Sequence, residues 1–137
     1  MRLNPEELYL DQVTYINKKV EMLVHNLLKN SKIQPIIILQ GDHGHGFIFH
    51  PMHNRIIPGT TEEDIKFLKS QFKIFNAYYL PGGGEKHLYS SISPVNSFRV
   101  ILNTYFDEHF KLLPDQSYYS NYAMPNNFID VTDRIRD

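Results

Sequence analysis

Three consecutive residues, Asp42, His43 and Gly44, stand directly after the apolar run Ile36-Ile37-Ile38-Leu39 and the pair Gln40-Gly41. Ionised carboxylate and neutral imidazole are favoured ligands of Zn²⁺ and Mn²⁺, and adjacent residues reach one ion only where the backbone turns. Gly41 and Gly44 flank the pair and allow that turn. The chemistry suggested is the binding of a divalent cation, with affinity falling in acid as protons compete for both donors. A zinc centre usually takes three or more protein ligands, so further donors are sought in His45, His50, His53 and His87. His45, two residues beyond His43, has the best local case. Against this, Asp and Gly are ordinary turn residues, and loop histidines are more often solvated or held by a backbone partner. His25 falls inside a helical stretch and is read as structural.

The elements around the pair are those of an αβ unit. Asn4-Pro5-Glu6-Glu7 offers an N-cap, a proline at the first helical position and an acid in the first turn. Leu8, Val13, Ile16, Val20, Leu23, Val24, Leu27 and Leu28 then recur at helical spacing, which predicts an amphipathic helix packed on a sheet. The Ile36 to Leu39 run reads as a buried strand that suits a sheet covered on both faces, with sites forming at its end. Residues 44–59 read as a loop with room for one short strand. Thr60-Thr61-Glu62-Glu63 is a capping-box pattern before a short helix through Phe72, and residues 75–80 form a second strand. Ser93-Pro94 caps a further helix with Val95, Phe98, Leu102, Tyr105 and Phe106 expected inside. Beyond Leu113-Pro114-Asp115 the weak periodicity predicts a surface-hugging tail.

With 137 residues, 42% hydrophobic and 21% charged, the chain is expected to fold as one domain or part of one. A net charge of −1 without blocks of like charge gives no footprint for nucleic acid. The absence of cysteine excludes disulfides, thiolate metal sites and a cysteine nucleophile within the chain. No apolar run approaches the roughly 20 residues of a membrane span, so the chain taken alone reads as soluble.

Other chemistry-bearing segments have plainer readings. Gly82-Gly83-Gly84-Glu85-Lys86 lacks the Walker pattern and reads as a mobile loop, although Lys86 and His87 could approach a substrate. Asn96 and Arg99, near a helix start, could serve an anion, but structural or solvated roles have the stronger claim. Ser93 is better explained as a cap than as a nucleophile, and no residue is assigned that role.

The order of these segments resembles a known family. The helix Tyr9 to Leu28, IIILQGDHG, NAYYLP, SPVNSFRVILNTYF and LLPDQSYYS look like the C-terminal part of a sulfatase-like hydrolase or transferase of the alkaline phosphatase superfamily, over roughly residues 8 to 122. Membrane-associated sulfatase-like proteins of bacteria are the nearer likeness. The resemblance implies a three-layer α/β/α fold, with residues 1–125 its C-terminal portion and 126–137 a tail. It implies one divalent metal, Mn, Zn, Ca or Mg, held by Asp42 and His43, and a sulfate or phosphate ester as substrate. Family members contribute a further acidic ligand and the nucleophile from an N-terminal half, which no segment here matches. The chain is therefore expected to be incomplete and inactive alone, associating with itself or with the missing half. The resemblance also implies a bacterial inner membrane location with an outward-facing domain.

Two other functions remain open at this stage. One is a non-catalytic remnant or protein-interaction module on the same scaffold. The other is a small independent metallohydrolase that uses Asp42, His43, His45, His50 and His53 with a water nucleophile.

Overall fold

Helix α1 (Pro5–Asn30) leads into strand β1 (Ile37–Gln40), helix α2 (Glu62–Phe72), strand β2 (Asn76–Tyr79) and helix α3 (Pro94–Tyr105). Strands β3 (Tyr118–Asn121) and β4 (Met124–Asp130) and a short helix α4 (Thr132–Ile135) complete the chain. The structure is a computed structural model that describes residues 4–44, 61–121 and 123–136. Among them helices combine with two small antiparallel sheets, so the class is broadly α/β. No helix among the described residues is long and apolar enough to cross a membrane.

β1 and β2 pair antiparallel, with Ile37 opposite Tyr79 and Gln40 opposite Asn76. Only Ile37 of β1 is buried and the rest are half-buried, so the described residues do not give this strand the two-sided cover suggested by its β-branched run. α1 departs from expectation in the same way. It forms over 26 residues, but Leu10, Ile16 and Leu23 are exposed and Val13, Val20 and Val24 only half-buried. The apolar stripe is real, but among the described residues no sheet covers it. His25, read as structural, is exposed on this helix.

The capping box of α2 lies one residue later than the sequence suggests. Thr61 Oγ1 accepts from the Asp64 backbone N–H, and the Asp64 carboxylate accepts from the Thr61 N–H, both at 3.2 Å. The reciprocal bonds satisfy donors that a helix start leaves orphaned, which lets Asp64 be fully buried. Phe67 and Leu68 of α2 meet Val131, with Phe72, Tyr119, Ile129 and Ile135 packed around them. This core draws on the segment expected to be a surface tail. There, β3 and β4 form a hairpin with a register irregularity between Tyr119 and Asn121.

α3 begins as expected at the Ser93 cap, whose hydroxyl accepts from the Asn96 N–H at 3.3 Å. Its inner face is different: Asn96, Ser97, Val100 and Ile101 are buried, while Val95, Phe98 and Phe106 are exposed. Polar partners turn the helix this way. Asn96 Nδ2 donates to Leu113 O at 2.7 Å and to Asp115 Oδ1 at 2.9 Å, and its Oδ1 accepts from the Leu113 N–H at 2.9 Å. Tyr78 of β2 donates to Ser97 Oγ at 2.7 Å. The glycine triplet, expected as a loose loop, lies in a 3₁₀ segment, Pro81–His87. Tyr105 Oη donates to Pro81 O at 2.6 Å, and a Cβ on Gly84 would fall 2.0 Å from that hydroxyl, so any larger residue would have to displace the Tyr105 ring.

Candidate functional site

Asp42 and His43 form a two-residue arch between fixed backbone anchors. On one side the Gly41 N–H donates to Phe75 O at 2.8 Å and extends the β1–β2 ladder; on the other the Gly44 N–H donates to Gln71 O at 2.7 Å. The second bond satisfies one of the carbonyls that the end of α2 leaves unpaired. It also brings Gly44 so close to α2 that an added Cβ would sit 1.9 Å from Ser70 O. The glycine of the Asp-His-Gly motif is thus required by close approach to a helix end. Held at both ends, the arch projects its side chains outward, with Asp42 92% and His43 71% exposed.

Among the described residues, each side chain commits one atom locally and leaves one over. Asp42 Oδ1 accepts from the His43 N–H at 3.1 Å. His43 Nδ1 lies 2.6 Å from Gly44 O, and because a carbonyl only accepts, Nδ1 carries the proton. The remaining atoms, Asp42 Oδ2 and His43 Nε2, are 3.8 Å apart. With metal–ligand bonds of about 2.0–2.2 Å, donors up to about 4 Å apart can share one ion. A backbone carbonyl on Nδ1–H also sets the tautomer in which Nε2 offers its lone pair, a common arrangement behind metal-binding histidines. The nearby C-terminal end of α2 carries partial negative charge, which favours a cation. Donor type, spacing, tautomer and local field therefore all fit a divalent cation.

The pair opens onto a cleft of about 770 Å³. Phe67, Gln71 and Phe72 of α2 line it together with Tyr118 and Tyr119 of β3. Burial pushes the Tyr119 hydroxyl above the ordinary tyrosine value of 10.0, so it is protonated at neutral pH. Sequence reasoning missed this aromatic wall. Its signal was the pair Tyr118-Tyr119 beside Asn- and Pro-rich turns, a composition that suits a hairpin strand.

The other sequence-derived candidates are not brought to the pair. His45, with His50 and His53, lies outside the described residues. His87 is exposed on the 3₁₀ segment and does not line the cleft, and neither does Lys86. Among the described residues no group of three or more His, Cys, Asp or Glu side chains is gathered as a metal would need. Arg99 Nη1 donates to Lys111 O at 3.1 Å and its guanidinium lies 5.6 Å from the Phe110 ring centre, a packing role. The start of α3, considered for an anion, already holds one: Asp115 Oδ1 accepts from the Ser93 N–H at 2.7 Å. Comparison with known proteins found no matching family model, curated protein or solved structure.

Proposed function

We propose that this chain is the metal-binding portion of a sulfatase-like hydrolase or transferase acting on sulfate or phosphate esters. The observation that carries the reading is a pair of donor atoms, Asp42 Oδ2 and His43 Nε2, held 3.8 Å apart at the mouth of a cleft and, among the described residues, without a hydrogen-bond partner. On this reading the described elements are part of a three-layer α/β/α sandwich, the nucleophile belongs to an N-terminal half that no segment here matches, and further ligands come from that half or from His45, the weaker candidate in this chain. A bound divalent cation would supply Lewis-acid polarisation of the ester and activation of the nucleophile. The chain's own contribution is to present an ionised carboxylate and an imidazole fixed in its Nδ1–H tautomer, and to wall the adjoining cleft. Such a protein would work on the outward face of a bacterial inner membrane.

Paramagnetic broadening by Mn²⁺ in NMR spectra of the purified chain tests the site and registers weak as well as tight binding. Broadening should centre on residues 41–44 and the adjoining cleft, and Asp42→Ala or His43→Ala should each weaken it at least about tenfold. Broadening that is centred elsewhere, or unchanged in both variants, rules the assignment out.

One observation favours a second reading, a non-catalytic interaction module. Leu10, Tyr15, Ile16, Met22 and Leu23 of α1 are between 55% and 61% exposed, a concentration of apolar surface that suits a partner. Self-association in sedimentation velocity that is indifferent to metal would support it.

A further inference from the structure

We infer that α1 is a self-pairing helix, whose apolar seam is covered by α1 of a second copy of this chain running antiparallel to it. This rests on the interaction-module reading above and names the partner. Tyr9, Val13, Ile16, Val20, Leu23 and Leu27 follow one another at alternating steps of four and three residues without a break. That alternation is the a and d seam of a coiled coil, narrower than the stripe a helix turns to a globular core. Most of the seam faces solvent. Ile16, Leu23 and Leu27 are exposed, Val13 and Val20 are half-buried, and α1 makes no extended contact with another described element.

The seam complements itself when one copy is reversed. A two-fold axis near Lys18 sets Tyr9 against Leu27, Val13 against Leu23 and Ile16 against Val20 of the second copy. Each layer then joins an a to a d position, and the axis repeats the three layers with no charged residue among them. Charge favours the same direction. Glu7 and Asp11 stand exposed near the N-terminal end of α1, and Lys29 lies in its last turn. Antiparallel pairing brings the acidic end beside the basic end and opposes the helix dipoles, whereas parallel pairing stacks like on like. Size is sufficient as well. A helix of 26 residues is about 39 Å long and 10–12 Å wide, so pairing along it covers on the order of 1,000 Å² over both copies, enough for a specific but weak interface.

Sedimentation velocity of the full chain over a range of concentrations should show a reversible monomer–dimer equilibrium with a Kd on the order of 10 μM. Ile16→Asp places a carboxylate in two central layers of the dimer and should weaken it at least about thirtyfold. Met22→Asp alters a comparably exposed apolar residue off the seam and should leave the Kd within about twofold. Circular dichroism checks that both variants keep their helix. Direction is read separately. The chain has no cysteine, so copies carrying Ile16→Cys mixed with copies carrying Val20→Cys should yield the mixed disulfide over either symmetric one. A chain that stays monomeric, a dimer that survives Ile16→Asp or is lost equally with Met22→Asp, or a predominance of symmetric disulfides overturns the inference. Its failure is separable from that of the reading beneath it. A monomeric chain whose α1 binds a different polypeptide defeats self-pairing and keeps the interaction module, whereas a monomeric chain whose α1 binds none defeats both.

Discussion

The arch at Asp42 and His43 and the polar knot around Asp115 are opposites. In the arch, two sequence neighbours stand 92% and 71% exposed and each leaves an electron-pair donor without a partner among the described residues. In the knot, residues up to 26 apart in sequence meet: Tyr89 Oη donates to Asp115 Oδ2 at 2.6 Å, and Ser93 N and Asn96 Nδ2 both donate to Asp115 Oδ1. Asn96 is fully buried, with both ends of its amide paired. Both regions set a carboxylate beside a helix terminus, yet one is saturated by its own chain and the other is left open. A saturated network stabilises the fold, whereas open donors on rigid anchors are available to a ligand.

Substitutions can break this contrast, and the largest loss is expected in the knot. Asn96→Ala would strand the Leu113 N–H and carbonyl and remove a donor from Asp115, lowering stability by about 3 kcal/mol in urea unfolding. A loss below about 1 kcal/mol would show that water replaces the amide and that the knot is not saturated. Gly44→Ala comes next, at about 2–3 kcal/mol, because the new methyl group would collide with the backbone of α2. The same variant should move the His43 ring resonances, since the anchor of the arch is displaced.

Asp115→Asn should cost about 1–2 kcal/mol at neutral pH and, more tellingly, change the acid response. Burial raises the Asp115 pKa, but the hydrogen bonds from Tyr89, Ser93 and Asn96 outweigh it and hold the carboxyl below the ordinary 3.8. The unfolded chain then takes up the proton first. The contribution of Asp115 is therefore complete above 3.8 and is lost as pH falls through the lower folded value. Unfolding measured from pH 5 down to pH 2 should show a shallower decline in the Asn variant; parallel curves would contradict the assignment. At the small end, Asp42→Ala and His43→Ala should each change stability by less than about 0.5 kcal/mol. If either unfolds the protein, the arch is structural and the comparison collapses.

The sequence makes one region much more legible than the other, for physical reasons. The strand, the glycines and the Asp-His pair are contiguous, so local rules suffice to place β1 at Ile37–Gln40, within a residue of expectation. Ser93-Pro94 likewise marks the start of α3 by local chemistry alone. The inward face of that helix does not follow from local chemistry. Hydrophobic period favours Val95 and Phe98, but Asn96 and Ser97 are drawn inside by Asp115, Leu113 and Tyr78, partners 17 to 19 residues away. The α2 box slips by one because Thr60 and Thr61 both suit a cap and Asp64 replaces the usual Glu or Gln at the third position. The β3–β4 hairpin hides behind Tyr, Asn and Pro, and the buried Val131 sits where strand spacing to Ile129 gives way to helical spacing to Ile135, so neither period runs long enough to be read.

The carboxylate at the start of α3 has a consequence for where a free anion can go. Asp115 is tethered to the helix it caps, so its effective concentration there is on the order of millimolar or more, and a dissolved sulfate or phosphate must outcompete it. The backbone N–H of Ser93 is thereby closed to an ester from solution. By occupying that position the chain closes the start of α3 to a dissolved anion; on the proposed reading it is the Asp42–His43 pair, through a cation, that would hold an ester instead.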